Sequence, residues 1–230
     1  MQKHIITISL LFFLHVGLYA QPKAVSEPRV IAKTDEPLQR PVWSADGEKL
    51  SLNYGQWEVS AKGNNLRRLP ETGKGSGIRR NTADNAVLQQ MTDDPRGVAA
   101  KVKGLESLGG YIIFNPVLSP QGDKIVFEAS RGKGTFVCNA DGSGLRSLGK
   151  KAECATWTPD GKYIVVMYVE DDGHVLEKGE LHVIEVATGV RSVILATDKY
   201  IALNPALSPD GTKLAFEDCR EGTIYVMDIQ

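Results

Sequence analysis

Pro205-Ala-Leu-Ser-Pro-Asp-Gly-Thr-Lys-Leu-Ala-Phe216 is the stretch on which the fold turns. Proline presets the φ of a turn's second residue, aspartate bonds its own backbone and glycine supplies positive φ, so Pro209-Asp-Gly211 reverses the chain. The residues beyond, Lys213-Leu-Ala-Phe-Glu217, read as an outgoing strand. The unit is a hairpin. It recurs as Pro41-Val-Trp-Ser-Ala-Asp-Gly-Glu-Lys-Leu-Ser-Leu52, Pro116-Val-Leu-Ser-Pro-Gln-Gly-Asp-Lys-Ile-Val-Phe127 and Ala155-Thr-Trp-Thr-Pro-Asp-Gly-Lys-Tyr-Ile-Val-Val166. A worn copy, Asn81-Thr-Ala-Asp-Asn-Ala-Val-Leu-Gln-Gln90, lies between the first two. With Ala45, Ala83, Pro120, Pro159 and Pro209 as markers, the intervals are 38, 37, 39 and 50 residues, the last stretched by an insertion near Asp171. The turns fall near 44–47, 82–85, 119–122, 158–161 and 208–211.

A second hairpin follows most copies. Thr135-Phe-Val-Cys-Asn-Ala-Asp-Gly-Ser-Gly-Leu-Arg-Ser-Leu148 is strand, Asp-Gly turn and strand, and the stretches 57–69 and 181–193 repeat it. Four antiparallel strands in about 40 residues is the content of one blade of a β-propeller. No long amphipathic helical pattern is visible. The last copy stops after its third strand, Thr223-Ile-Tyr-Val-Met-Asp-Ile-Gln230, while Glu27-Pro-Arg-Val-Ile-Ala-Lys33 matches the fourth-strand pattern. The chain is therefore expected to be an all-β propeller of four-stranded blades. Its N-terminal strand should pair with the C-terminal blade and close the ring. The spacing predicts five blades, with six as the alternative if residues 92–110 hold more than the rest of the second blade.

Leu207-Ser-Pro-Asp-Gly-Thr-Lys-Leu-Ala-Phe216, followed by Ile224-Tyr-Val-Met-Asp228, resembles the WD-repeat-like propeller repeat of the periplasmic TolB family. Related repeats occur in the propeller domains of tricorn protease and dipeptidyl peptidases. The resemblance implies a propeller and is to that part only, since no N-terminal α/β domain of the TolB kind precedes the repeats and no hydrolase domain accompanies them. The motif residues build turns and strands, so fold does not decide function here.

Residues 1–20 read as a secretory signal peptide. Lys3 gives a positive start, an apolar run follows from Ile5 to Val16, and Leu18-Tyr19-Ala20 ends on a small residue. Cleavage after Ala20 leaves residues 21–230 as a single propeller domain with no membrane span, and the expected location is periplasmic or secreted. The apolar run is shorter than the roughly 20 residues a transmembrane helix needs. The chain carries 27 basic and 28 acidic residues, a net charge of −1. That balance gives no electrostatic footprint for nucleic acid or anionic lipid. Three cysteines, Cys138, Cys154 and Cys219, fit no zinc spacing and read as small buried hydrophobes, with a Cys138–Cys154 disulfide left open.

Little here points to catalysis. Beyond the signal segment the histidines are His174, in a polar hairpin, and His182, on a strand, and no Gly-x-Ser-x-Gly elbow exists. Gly73-Lys-Gly-Ser-Gly77 lacks phosphate-loop spacing. Asp93-Asp94 and Asp171-Asp172 lack the ordered ligand series of a calcium loop. No cofactor and no metal site is expected. Trp43 and Trp157 share a repeat position and read as packing between blades. In a propeller the first strand of each blade lines the central channel. One repeat column there holds Arg40, Ile78, Asn115, Cys154 and Asn204. Two of these sit in near-duplicates, Gly110-Tyr-Ile-Ile-Phe-Asn-Pro116 and Lys199-Tyr-Ile-Ala-Leu-Asn-Pro205. Arg40, Tyr111, Asn115, Tyr200 and Asn204 are thus the expected ligand-binding rim, unless each Asn merely supports the turn before proline. The expected function is a noncatalytic protein- or peptide-binding module of the cell envelope. A carbohydrate-binding propeller, or a hydrolase or lyase using the funnel, is the alternative.

Overall fold

The computed structural model describes residues 21–70, 85–130 and 132–230. The expected signal peptide lies outside them. In chain order the first strands are β1 (Arg29–Ala32), β2 (Val42–Trp43), β3 (Lys49–Leu52), β4 (Trp57–Ser60) and β5 (Arg67–Arg68). Helices α1 (Ala86–Asp93) and α2 (Val98–Lys101) and a 3₁₀ turn at Glu106–Leu108 come next. The strands resume with β6 (Ile113–Leu118), β7 (Lys124–Ala129), β8 (Gly134–Asn139) and β9 (Arg146–Gly149). Then follow β10 (Ala152–Trp157), β11 (Tyr163–Asp171), β12 (Leu176–Glu185) and β13 (Arg191–Leu195). The last are β14 (Ala202–Leu207), β15 (Lys213–Asp218) and β16 (Thr223–Asp228).

Among the described residues these strands form four antiparallel four-stranded sheets: β2-β3-β4-β5, β6-β7-β8-β9, β10-β11-β12-β13 and β14-β15-β16-β1. The fold is an all-β propeller of four-stranded blades. As expected, β1 completes the last blade, with Arg29 opposite Val226 and Val30 opposite Tyr225.

The repeated turn works as the sequence implies. Ser44 Oγ donates to Asp46 Oδ1 at 2.6 Å and accepts from Lys49 N at 3.0 Å. Thr158 with Asp160 and Ser208 with Asp210 repeat the arrangement. Where Gln121 replaces the aspartate, Ser119 donates to Asp123 instead, at 2.8 Å. The turn glycines 47, 122, 161 and 211 hold φ of 72°, 74°, 67° and 73°, which a Cβ would resist.

From Asn85 onward the worn repeat is helix and not strand. Asn85 caps α1 by accepting from Leu88 N at 2.8 Å, and Leu88 and Met91, three residues apart, are buried on one helix face. The stretch 86–90, aligned above with the hairpin repeat, has a short helical spacing instead. The described residues therefore hold four sheets where the spacing predicts five, and the turn near 82–85 falls almost wholly outside them.

The blades pack face to face. Phe216, Leu214 and Met227 of the last blade meet Val165, Leu181 and Val183 of the β10–β13 blade. On that blade's other face, Ile164, Val166 and Ile184 meet Val126 and Val137. Ala215 and Val226 meet Leu50, Leu52 and Val59 of the first blade. The remaining face of the β6–β9 blade (Ile125, Phe127 and Cys138) is covered by Leu88, Met91, Val98 and Leu105, so the helices sit where a preceding blade would. Trp43 Nε1 donates to Ala206 O at 2.9 Å and Trp157 Nε1 to Val117 O at 3.1 Å, stitching neighbouring blades from one repeat position.

Candidate functional site

The inner strands lie side by side in the order β6, β10, β14, β2. At the same repeat position, within β6, β10 and β14 and just before β2, stands a non-glycine residue in the left-handed region: Asn115 (φ 46°), Cys154 (51°), Asn204 (49°) and Arg40 (51°). Where the strand pairing is defined on both sides of that position, its register shifts there, between Phe114 and Val117, Glu153 and Thr156, and Leu203 and Ala206. The column is a repeated bulge, which re-aims a side chain and bends the strand. Asparagine adopts this conformation more readily than most residues, which accounts for two of the four.

A second column, not identified from sequence, supports the first. In three blades the residue ending the straight part of the second strand reaches the bulge of the next blade. Glu128 Oε1 accepts from Cys154 N at 2.8 Å, and Glu217 Oε2 accepts from Arg40 N at 2.5 Å. In the blade between them the equivalent is Met167, whose sulfur takes Asn204 N at 3.4 Å. Glu128 also accepts from Asn115 Nδ2 of its own blade at 2.9 Å. The signal was present in the repeat: Lys124-Ile-Val-Phe-Glu128 and Lys213-Leu-Ala-Phe-Glu217 end alike, and Asn53 and Met167 fill the same column.

Glutamates 128, 153 and 217, Arg40 and Cys154 thus share one polar centre, close enough for Glu128, Arg40, Glu153 and Glu217 all to act on the Cys154 thiol. Burial, reinforced by Glu128, pushes that thiol up to about 12. It stays protonated and is no nucleophile at neutral pH. Burial also raises Glu217, which is 5% exposed, although the Arg40 backbone and the Asn204 side chain pull it back. Glu153 is raised by burial first and by Glu128 and Asp171 after it. Carboxylates therefore do gather at the centre, yet among the described residues no cluster of three or more metal-binding side chains forms.

The five rim residues divide. Arg40, Asn115 and Asn204 occupy the bulges around the centre. Tyr111 packs on the helical cluster with Lys133 Nζ 5.0 Å from its ring. Tyr200 packs against Phe216 and Tyr225, at ring distances of 6.0 and 4.6 Å, in the core between two blades. Two aromatics that the sequence did not single out stand open near the bulges: Phe114, 43% exposed, and Tyr54, 63% exposed, with the Arg40 guanidinium 5.2 Å from the Tyr54 ring. Cys138, Cys154 and Cys219 are free thiols. His174 lies exposed at a hairpin tip, while His182 lies away from the central ring, with Nε2 2.8 Å from Glu180 Oε2.

No protein-family model matches the chain, and no curated protein matches it. Solved structures do. A protein described as TolB from Agrobacterium tumefaciens aligns at 22% identity and a TM-score of 0.42, over 86% of this chain and 60% of that one. The neighbours are propellers. The β-propeller domain of the trilobed protease from Pyrococcus furiosus aligns at 17% identity and a TM-score of 0.41, over 51% of this chain and 39% of that one. TolB from Acinetobacter baumannii aligns at 18% identity and 0.36, over 88% and 46%. This chain thus spans between 39% and 60% of those three.

Proposed function

We propose that the chain is an exported, noncatalytic module that binds a protein or peptide segment at its central rim. The exposed Tyr54 with Arg40 stacked on it carries the reading. Arg40 makes no ion pair or side-chain hydrogen bond among the described residues, and aromatic and arginine side chains are the groups that dominate protein interfaces. On β6, at the other end of the row of inner strands, the exposed Phe114 and Asn115 offer a like mixture of apolar and amide surface. Beside it the protonated thiol, the buried Glu217 and the half-buried Glu128 and Glu153 supply polarity without an activated nucleophile. Export rests on residues 1–20 and places the module in the periplasm or outside the cell. No helix of the described residues is long and apolar enough to cross a membrane.

The test is peptide-display selection against residues 21–230, with enriched sequences measured by fluorescence anisotropy. Tyr54→Ala/Phe114→Ala should weaken the selected peptides at least about thirtyfold, the loss of one or two hot-spot side chains. Failure to enrich any sequence, or enriched peptides indifferent to both substitutions, would remove the rim as the binding surface.

A further inference from the structure

A second concavity shares no residue with the rim. It is a cavity of 390 Å³ formed where the β9–β10 connection folds over strands β11, β12 and β13. Its lining holds Lys150, Lys151, Lys178 and Arg191 against the carboxylates Glu170 and Glu180. In a chain of net charge −1 this is a local excess of positive charge.

The negative charge present is partly spoken for. Glu180 Oε2 is 2.8 Å from Nε2 of His182, whose side chain is 6% exposed. Glu170 faces Lys178 only at 4.0 Å, with both side chains largely in solvent. Neither Lys150, Lys151 nor Arg191 forms an ion pair with a described residue. Arg191 is instead held in place, its guanidinium 4.4 Å from the Tyr168 ring, and that ring lies 4.5 Å from His182 on a tilted plane. The connection itself is pressed close: a Cβ on Gly149 would come within 2.7 Å of Tyr168 Oη. A rigid floor of Tyr168, His182 and Arg191 beneath two unpaired lysines is a preorganised arrangement, and a concavity of this size is that of a small-molecule site.

We propose that this cleft binds a small polyanion carrying carboxylate or phosphate groups, held by the ammoniums of Lys150 and Lys151 and the guanidinium of Arg191. Arginine on its aromatic support offers two parallel donors to one such group, and the lysines supply point charges to a second. A concavity of this size between one connection and one sheet fits a free small molecule. The occupied faces of Tyr168 leave anionic groups, and not a stacked ring, as the feature recognised.

Isothermal titration of residues 21–230 with citrate, with inorganic phosphate and with a short oligoglutamate peptide tests this. Saturable binding of citrate or phosphate is expected, weakened at least tenfold by Lys150→Glu/Lys151→Glu and falling with added salt. Glu180→Gln, which keeps the shape and removes a competing charge, should tighten it about threefold. Two results overturn the proposal: no saturable binding of either small anion at millimolar concentration, or binding that a folded Lys150→Glu/Lys151→Glu protein retains. Binding of oligoglutamate alone would equally overturn it, in favour of an acidic protein segment. Because the Tyr54→Ala/Phe114→Ala protein should bind these anions normally, failure here and failure of the rim are separable.

Discussion

The β10–β13 blade and the β2–β5 blade share a repeat and differ in what their faces meet. In the former, Val165 and Val183 pack one way while Ile164, Val166 and Ile184 pack the other, so both faces are core. In the latter only Leu50, Leu52, Trp43 and Val59 are buried. The alternate residues are Lys49, Ser51, Glu58 and Ser60, and Lys49 and Arg67 both reach Glu58, at 3.3 and 2.8 Å. A propeller blade flanked by two others must be apolar on both sides. An antiparallel sheet with one wet face alternates instead. The described blades thus run from the helices on the β6–β9 blade to the charged face of the β2–β5 blade. The amino-acid pattern of each strand reports its place in that series.

The sharpest way to break this contrast is one substitution at one repeat position in both blades. Val165 and Ser51 are equivalent. Val165→Lys buries an unpaired charge and should cost more than about 4 kcal/mol, leaving little folded protein. Ser51→Lys, set opposite Glu58, should stay within about 0.5 kcal/mol. Circular dichroism during urea titration compares them, and similar losses would mean that the first blade's second face is also covered.

Next in size is Phe216→Ala. The ring is fully buried and stacked 5.4 Å from Tyr225, so about 3–5 kcal/mol should be lost. A smaller effect is expected at the latch between blades. Glu217→Ala leaves Arg40 N without its acceptor and should cost about 1–3 kcal/mol, whereas Met167→Leu, which removes only a weak sulfur acceptor, should cost under about 1.5.

The latch also predicts a pH dependence. Burial holds Glu217 above its ordinary 4.5, so the folded chain keeps a proton that the unfolded chain releases. Stability should therefore decline as pH rises from about 4.5 through the folded value. Glu217→Gln should lose that decline while keeping the acceptor. Urea midpoints taken in steps from pH 4 to 8 would show it, and parallel curves for the two proteins would contradict the assignment. Smallest of all is Lys49→Ala, an exposed ion pair, at about 0.5 kcal/mol or less.

What the sequence made legible was local or periodic. The Pro-Asp-Gly turns, the hairpin after each and the pairing of 27–33 with the last strand all follow from short-range chemistry repeated at intervals. The helix at Ala86–Asp93 was missed because eight residues give too few turns to separate a three-residue spacing from strand alternation. Ser-free, Gly-free Ala-Val-Leu-Gln-Gln, aligned to a repeat, took on the repeat's reading. The bulge column was readable because its members align. That Tyr200 turns into the core was not, since this depends on Phe216 and Tyr225 arriving from other strands. The cationic cleft was least legible, because its lysines, Tyr168 and Arg191 belong to three separate segments.

The strand that completes the last blade brings residue 23 beside residue 230. Lys23 N donates to Gln230 O and Gln230 N to Lys23 O, each at 2.9 Å. A linker of a few residues would span that gap, and the exposed tip at Gly173 offers a place to cut. Such a circular permutant would carry β14, β15, β16 and β1 as one uninterrupted run, turning a sheet now assembled from segments about 170 residues apart into one that forms from consecutive sequence.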